Sequence, residues 1–130
     1  MIDPKKKAEA SHAYSGLDRV FHEKARLAIM TCLASQSAGL SFADLKRLCD
    51  LSDGNLNRHL EVLQEVAAIK LDRQGAGRNS RTTVSITTAG RHEFQRYLSE
   101  LERVLKNATQ AMKQPAVNQR SNRRIGLSNV

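Results

Sequence analysis

Aromatic residues make up only 4% of this 130-residue chain, and tryptophan is absent. A platform that holds single-stranded nucleic acid by stacking bases on rings therefore has little to build with. There are two cysteines, Cys32 and Cys49, both at apolar positions of expected helices. They read as small hydrophobes, not as a disulfide, a metal site or a redox sensor. The four histidines, His12, His22, His59 and His92, do not combine with Cys, Asp or Glu at a recognised ligand spacing, so no metal is expected. No Gly-rich phosphate loop, nucleophile–base arrangement or paired-carboxylate site is visible, so the chain does not read as an enzyme and no cofactor is implied. No apolar run reaches membrane-spanning length, and the opening MIDPKKKAEASHAYSG lacks the apolar segment of a signal peptide. A cytoplasmic protein without membrane association is the expectation.

What is present in excess is positive charge: net +8, with an isoelectric point near 10.0. Such a balance favours a polyanionic partner. The charge is unevenly spread. Residues 1–16 carry net +1, residues 17–110 net +3 and residues 111–130 net +4. With 40% hydrophobic and 26% charged residues, the chain has the composition of one globular domain with a single core.

Three regions are expected: a flexible N-terminal tail over 1–16, a domain over 17–113, and a basic, disordered C-terminal tail over 114–130. The domain opens with a helix from about Leu17 to Gln36. Its stripe of Phe21, Ala25, Ala28, Ile29, Cys32 and Leu33, widened by Leu27 and Met30, suggests contacts on two sides. Gly39 follows as a terminator. From Ser41 to Val66 the sequence reads as two helices joined by a three-residue corner, Cys49-Asp50-Leu51. Ser41 and Ser52 are the N-caps. Leu40 with Leu45, and Leu51 with Leu56, are the hydrophobic staples around them. Leu56, Leu60 and Leu63 give the second helix its buried face.

Ile69 to Arg73 and Arg81 to Thr87 alternate as strands on either side of the polar loop QGAGRNS, predicting a β-hairpin with Thr82, Val84 and Ile86 facing inward. Residues 70–96 hold six basic and two acidic side chains, with Arg73, Arg78 and Arg81 around the hairpin tip. Thr87 then caps a helix over Thr88–Lys113, which Pro115 cannot continue. Phe94, Leu98, Leu101, Leu105, Ala108 and Met112 follow one another at heptad spacing along it. The fold class is therefore mainly α with a small β-hairpin. It is a winged helix-turn-helix with a long C-terminal helix used for dimerisation, where Phe21 and the heptad residues would form a homodimer seam.

On these residues the chain resembles the winged helix-turn-helix transcriptional regulators of the MarR and ArsR superfamily, especially small MarR-like winged helix DNA-binding domains. The likeness covers about residues 17–105. It rests on Leu17-Asp18, Val20 and His22, Arg26 to Met30, Leu40 to Leu45, the block Leu51-Ser-Asp-Gly-Asn-Leu-Asn-Arg-His-Leu60, and Ile86 to Arg91. It implies a dimeric regulator whose third helix enters the major groove of double-stranded DNA while the wing lies near the minor groove. Ala67-Ala68 stands where relatives usually carry a glycine, and the tail after Pro115 lies outside the family core.

The inward leucines leave Asp53, Gly54, Asn55, Asn57, Arg58 and Glu61 outside on the second helix, and Ser52, Asn55, Asn57 and Arg58 cluster in its first two turns, the end that meets base edges in this geometry. Arg58 suits a bidentate pair with guanine, and Asn55 or Asn57 one with adenine. Gly54 permits close approach of the backbone to a phosphate. Arg78, Asn79, Ser80 and Arg81 suit phosphate or minor-groove contact, whereas Arg73 reads as structural. Lys46 and Arg47 fit either a DNA-backbone contact or a solvated face. Residues 41–66 carry three basic and five acidic side chains, so affinity must come largely from wing and tail. The alternatives are a winged helix that binds a macromolecular partner without specific DNA binding, and an RNA-binding protein. No residue set identifies a small-molecule effector.

Overall fold

The computed structural model describes residues 18–113. The expected tails lie outside the described residues. Backbone contacts divide the chain between Tyr97 and Leu98.

In the first unit, helical residues 18–21 lead into helix α1 (Lys24–Ala34), strand β1 (Leu40–Ser41), helix α2 (Phe42–Cys49) and helix α3 (Asp53–Glu65). Strand β2 (Ile69–Gln74), a 3-10 turn (Gly77–Asn79), strand β3 (Arg81–Ile86) and helix α4 (Thr88–Lys113) follow. The fold is mainly helical with a small antiparallel sheet, as the sequence predicts.

The single helix expected from Leu17 to Gln36 is broken. The apolar stripe runs through the break, so periodicity does not reveal it. A local hydrogen bond does: the Glu23 carboxylate accepts from the amides of Ala25 (3.0 Å) and Arg26 (3.1 Å) and so starts α1 afresh. The hairpin is also one strand short of the observed sheet. β1 pairs with β3, Leu40 opposite Val84 and Ser41 opposite Thr83, giving the order β1-β3-β2. Two residues are too few to announce a strand in sequence, and their partner lies over forty positions away.

Both helices of the pair are capped by the serines expected. Ser41 Oγ accepts from Asp44 N–H at 3.0 Å and Ser52 Oγ from Asn55 N–H at 3.2 Å. Their C-termini share a second device. Leu51 N–H donates to Lys46 O and Asp50 N–H to Arg47 O. Ala68 N–H donates to Leu63 O and Ala67 N–H to Gln64 O. These are paired Schellman closures, with Asp50 (φ 54°) and Ala67 (φ 62°) in the left-handed position that glycine usually takes. Ala67 thus holds without a glycine the position where the resemblance led one to be expected.

The core gathers Ile29, Met30 and Leu33 of α1, Leu45 of α2, Leu56, Leu60 and Leu63 of α3, Ile69 and Val84 of the sheet, and Phe94 and Tyr97 of α4. Phe21 meets Phe94 edge to face, ring centroids 5.4 Å apart, and both are buried. Two of the residues expected in a dimer seam are therefore occupied inside the chain itself. Thr87 fastens the start of α4: its hydroxyl donates to Ala67 O at 2.7 Å and accepts from Gly90 N–H at 2.8 Å. Gly90 packs against the backbone here, since a Cβ on it would lie 2.1 Å from Ala68 O.

Cys32 and Cys49, expected as separate small hydrophobes, meet between α1 and α2 as free thiols. Burial, together with the charge and hydrogen bond of Cys32, pushes the Cys49 thiol up to about 11, far from the thiolate that reacts readily.

The second unit holds the remainder of α4. Leu98 is 40% exposed, Leu105 56% and Met112 78%, with Val104 also open. Arg103 pairs with Glu100 one turn earlier.

Candidate nucleic-acid interface

Helix α3 presents three strips. With 3.6 residues per turn, Leu56, Leu60 and Leu63 define the inward side. Gly54, Arg58, Glu61 and Glu65 form the ridge opposite. Asn57 and Gln64 flank the ridge towards the sheet, and Asn55, His59 and Val62 flank it towards α1. The expected reading residues thus separate. Ser52, Asp53, Gly54, Asn55, Asn57 and Arg58 are all exposed, but Asn57 looks to the wing and Asn55 away from it. Glu61 and Glu65 make the C-terminal half of the ridge acidic, so only its first two turns are electrostatically suited to a polyanion.

Asp53 is engaged: its carboxylate lies 2.9 Å from Lys46 Nζ, tying the start of α3 back to α2. Arg47 likewise pairs with Asp44 at 3.4 Å. Both pairs are solvent-exposed and worth at most about 1 kcal/mol, but they engage both of the cations that α2 carries.

Between α3 and the wing runs an open groove of about 940 Å³. It is lined by Asn57 of α3, by Ser41 and the first turn of α2, and by Leu71, Arg73, Ser80, Arg81, Thr82 and Thr83 of the β2–β3 hairpin. Of the wing residues singled out in the sequence, Ser80 and Arg81 line this groove. Arg78 and Asn79 occupy the exposed 3-10 turn at the tip. Arg73, read from sequence as structural, is exposed and stands in the groove.

On the α1 side, a network that spacing alone could not reveal holds α3. Arg26 donates through Nε to Val20 O at 2.7 Å, and its Nη1 lies 3.2 Å from His59 Nδ1. Glu23 Oε2 is 3.5 Å from the same His59 nitrogen. Burial opposes ionisation of Glu23, but the Ala25 and Arg26 amides with the charges of His59 and Arg26 outweigh it, holding the carboxyl below its ordinary value. Nearby, His22 Nδ1 and Tyr97 Oη are hydrogen-bonded at 2.7 Å, and burial followed by the charge of Asp18 raises the Tyr97 phenol.

Two capped helices at a tight corner, a three-stranded sheet and an exposed second helix beside a basic hairpin define a winged helix-turn-helix. The chain belongs to the winged helix DNA-binding domain family, whose model matches residues 25–105, more than half of its length. It is 29% identical over 92 residues to an uncharacterized protein of Methanocaldococcus jannaschii, a match spanning 68% of this chain and 96% of that one. A transcriptional regulator homologue of known structure from Pyrococcus horikoshii OT3 is 32% identical, with a TM-score of 0.64, over 69% of this chain and 88% of that one. The S. aureus MepR–DNA complex shares the fold alone, at 16% identity and a TM-score of 0.57, over 91% of each chain. The winged helix-turn-helix resemblance read from Leu51–Leu60 and its flanks therefore holds.

Proposed function

We propose that this protein is a cytoplasmic transcriptional regulator that binds double-stranded DNA sequence-specifically as a homodimer. Helix α3 enters the major groove, and the wing rests on the backbone or in the minor groove. The observation that carries this reading is the placement of Asn57 and Arg58 on the exposed first two turns of α3, with Asn57 lining a groove that Arg73 and Arg81 of the wing line as well. Two similar proteins support it: the Pyrococcus horikoshii protein is a transcriptional regulator homologue, and MepR was solved with DNA.

Arg58, on the ridge, is assigned the guanine contact, worth about 1–3 kcal/mol of discrimination. Asn57 is assigned a base edge on the wing side. Arg78 and Asn79 at the tip, with Ser80 and Arg81 below them, supply backbone or minor-groove contacts. The dimer seam runs along Leu98, Leu101, Leu105, Ala108 and Met112, of which Leu98, Leu105 and Met112 are large apolar side chains left open.

Selection of bound sequences from random duplex DNA, followed by fluorescence titration of Arg58→Ala, tests the reading. The variant should lose about 5- to 150-fold of the preference for the selected site over random duplex. An unchanged preference removes Arg58 from base reading. A salt slope near zero for the wild-type chain on duplex DNA would instead favour a protein-interaction module, a reading to which the acidic balance of residues 41–66 lends its weight.

A further inference from the structure

The inner face of the sheet is longer than the core it covers. Along β2, Ile69, Leu71 and Arg73 share one face by alternation, and exposure rises along the series from a buried Ile69 to an open Arg73. Their direct partners on β3 are Ile86, Val84 and Thr82. The face that packs on the helices near Ile69 therefore runs out beyond them. There it lines the groove, which Arg73 shares with Asn57 and the first turn of α2. Lys70 supplies a contrast on the same strand. It is exposed and carries the same charge, but stands three residues away and so on the opposite face, outside the groove lining. Among the described residues no ion pair engages Arg73 or Arg81, while Lys46 and Arg47 are paired with Asp53 and Asp44.

We infer that Arg73 is a phosphate-binding, positioning residue: one DNA strand lies in the groove with its backbone on Arg73 and its base edges towards Asn57. This rests on the proposed duplex-DNA reading and adds to it the path of a strand. A guanidinium fork matches phosphate geometry and stays charged at every working pH. Contacts of this kind fix register without carrying sequence information.

The test is a titration of labelled duplex with the full chain over a range of salt concentrations, for wild type, Arg73→Ala, Arg73→Lys and Lys70→Ala. Thermal melts confirm that each variant is folded. Arg73→Ala should reduce the slope of log affinity against log salt by about 0.9 per bound chain. It should weaken selected and random duplexes by the same factor. Arg73→Lys should keep most of the slope, and Lys70→Ala should leave it unchanged. Equal losses for Arg73→Ala and Lys70→Ala would mean that total charge matters and position does not, overturning the inference. So would a wild-type slope in Arg73→Ala. Absence of salt-dependent duplex binding by the wild-type chain would sink the DNA reading itself, which separates the two failures.

Discussion

Arg26 Nη1 on α1 lies 3.2 Å from His59 Nδ1 on α3, and Glu23 Oε2 lies 3.5 Å from the same nitrogen. One arginine thus joins the chain turn at Val20, the cap of α1 and the helix assigned to base reading. Arg26→Ala should destabilise the fold by about 1–3 kcal/mol through lost charge-assisted hydrogen bonds. It should also weaken DNA binding while leaving the salt slope unchanged, since Arg26 makes no phosphate contact in this reading. Urea denaturation and salt titration check the two halves, and a changed slope would place Arg26 on DNA.

Glu23 makes the network sensitive to acid. Its carboxyl ionises below the ordinary 4.5 in the folded chain. The folded state therefore binds its proton less readily than the unfolded state. Its contribution is complete above the unfolded value and is lost as pH falls through the folded one. Glu23→Gln should be less stable than wild type at neutral pH, and the gap should close on acidification below about 4.5. Urea midpoints measured from pH 7 down to 3 provide the comparison. Parallel curves would show that the ionised carboxylate contributes nothing.

Gly54 separates folding from binding. A Cβ there would meet nothing within 4 Å, so the chain itself does not require glycine. Gly54→Ala should raise stability by about 0.5–1 kcal/mol, the usual gain inside a helix. If the backbone approaches a phosphate at this point, the same variant should bind duplex DNA more weakly. A stabler protein with undiminished affinity would remove Gly54 from the interface.

Ala67 holds a left-handed conformation that costs an L-residue about 1–2 kcal/mol. Ala67→Gly relieves that cost but frees the unfolded chain, so a net gain of about 1 kcal/mol is expected in thermal or urea unfolding. A loss would mean that the Ala67 methyl makes a contact of its own.

Leu98 and Leu105 are 40% and 56% exposed. Replacing both by Asp should spare the fold and abolish association. Sedimentation velocity at micromolar concentration should find a dimer for wild type and a monomer for the double variant. A wild-type monomer, or a variant that still dimerises, would refute the seam.

The parts legible in sequence were those governed by near neighbours. Ser41 and Ser52 cap helices through amides three residues on, and Thr87 and Pro115 bracket α4. What escaped depends on distant partners. The break at His22–Glu23 is hidden beneath a continuous apolar stripe. Strand β1 exists only because β3 is beside it, and the meeting of Cys32 with Cys49 requires α1 and α2 to pack. Alternation put Arg73 on one face with Ile69 and Leu71, and from sequence it read as structural. Its use required knowing where the helices stop.

Ser41 belongs to two structures at once. It is the last residue of β1, paired with Thr83 on the wing, and its hydroxyl caps α2. No linker therefore separates the helix pair from the wing. On a duplex the two contacts would behave as the jaws of a caliper set to one opening. The second contact would need no chain closure once the first is made. A DNA whose groove width departs from that opening must be deformed to fit, at an energetic cost that depends on its own sequence. Selectivity can then extend to base pairs that no side chain of this protein touches.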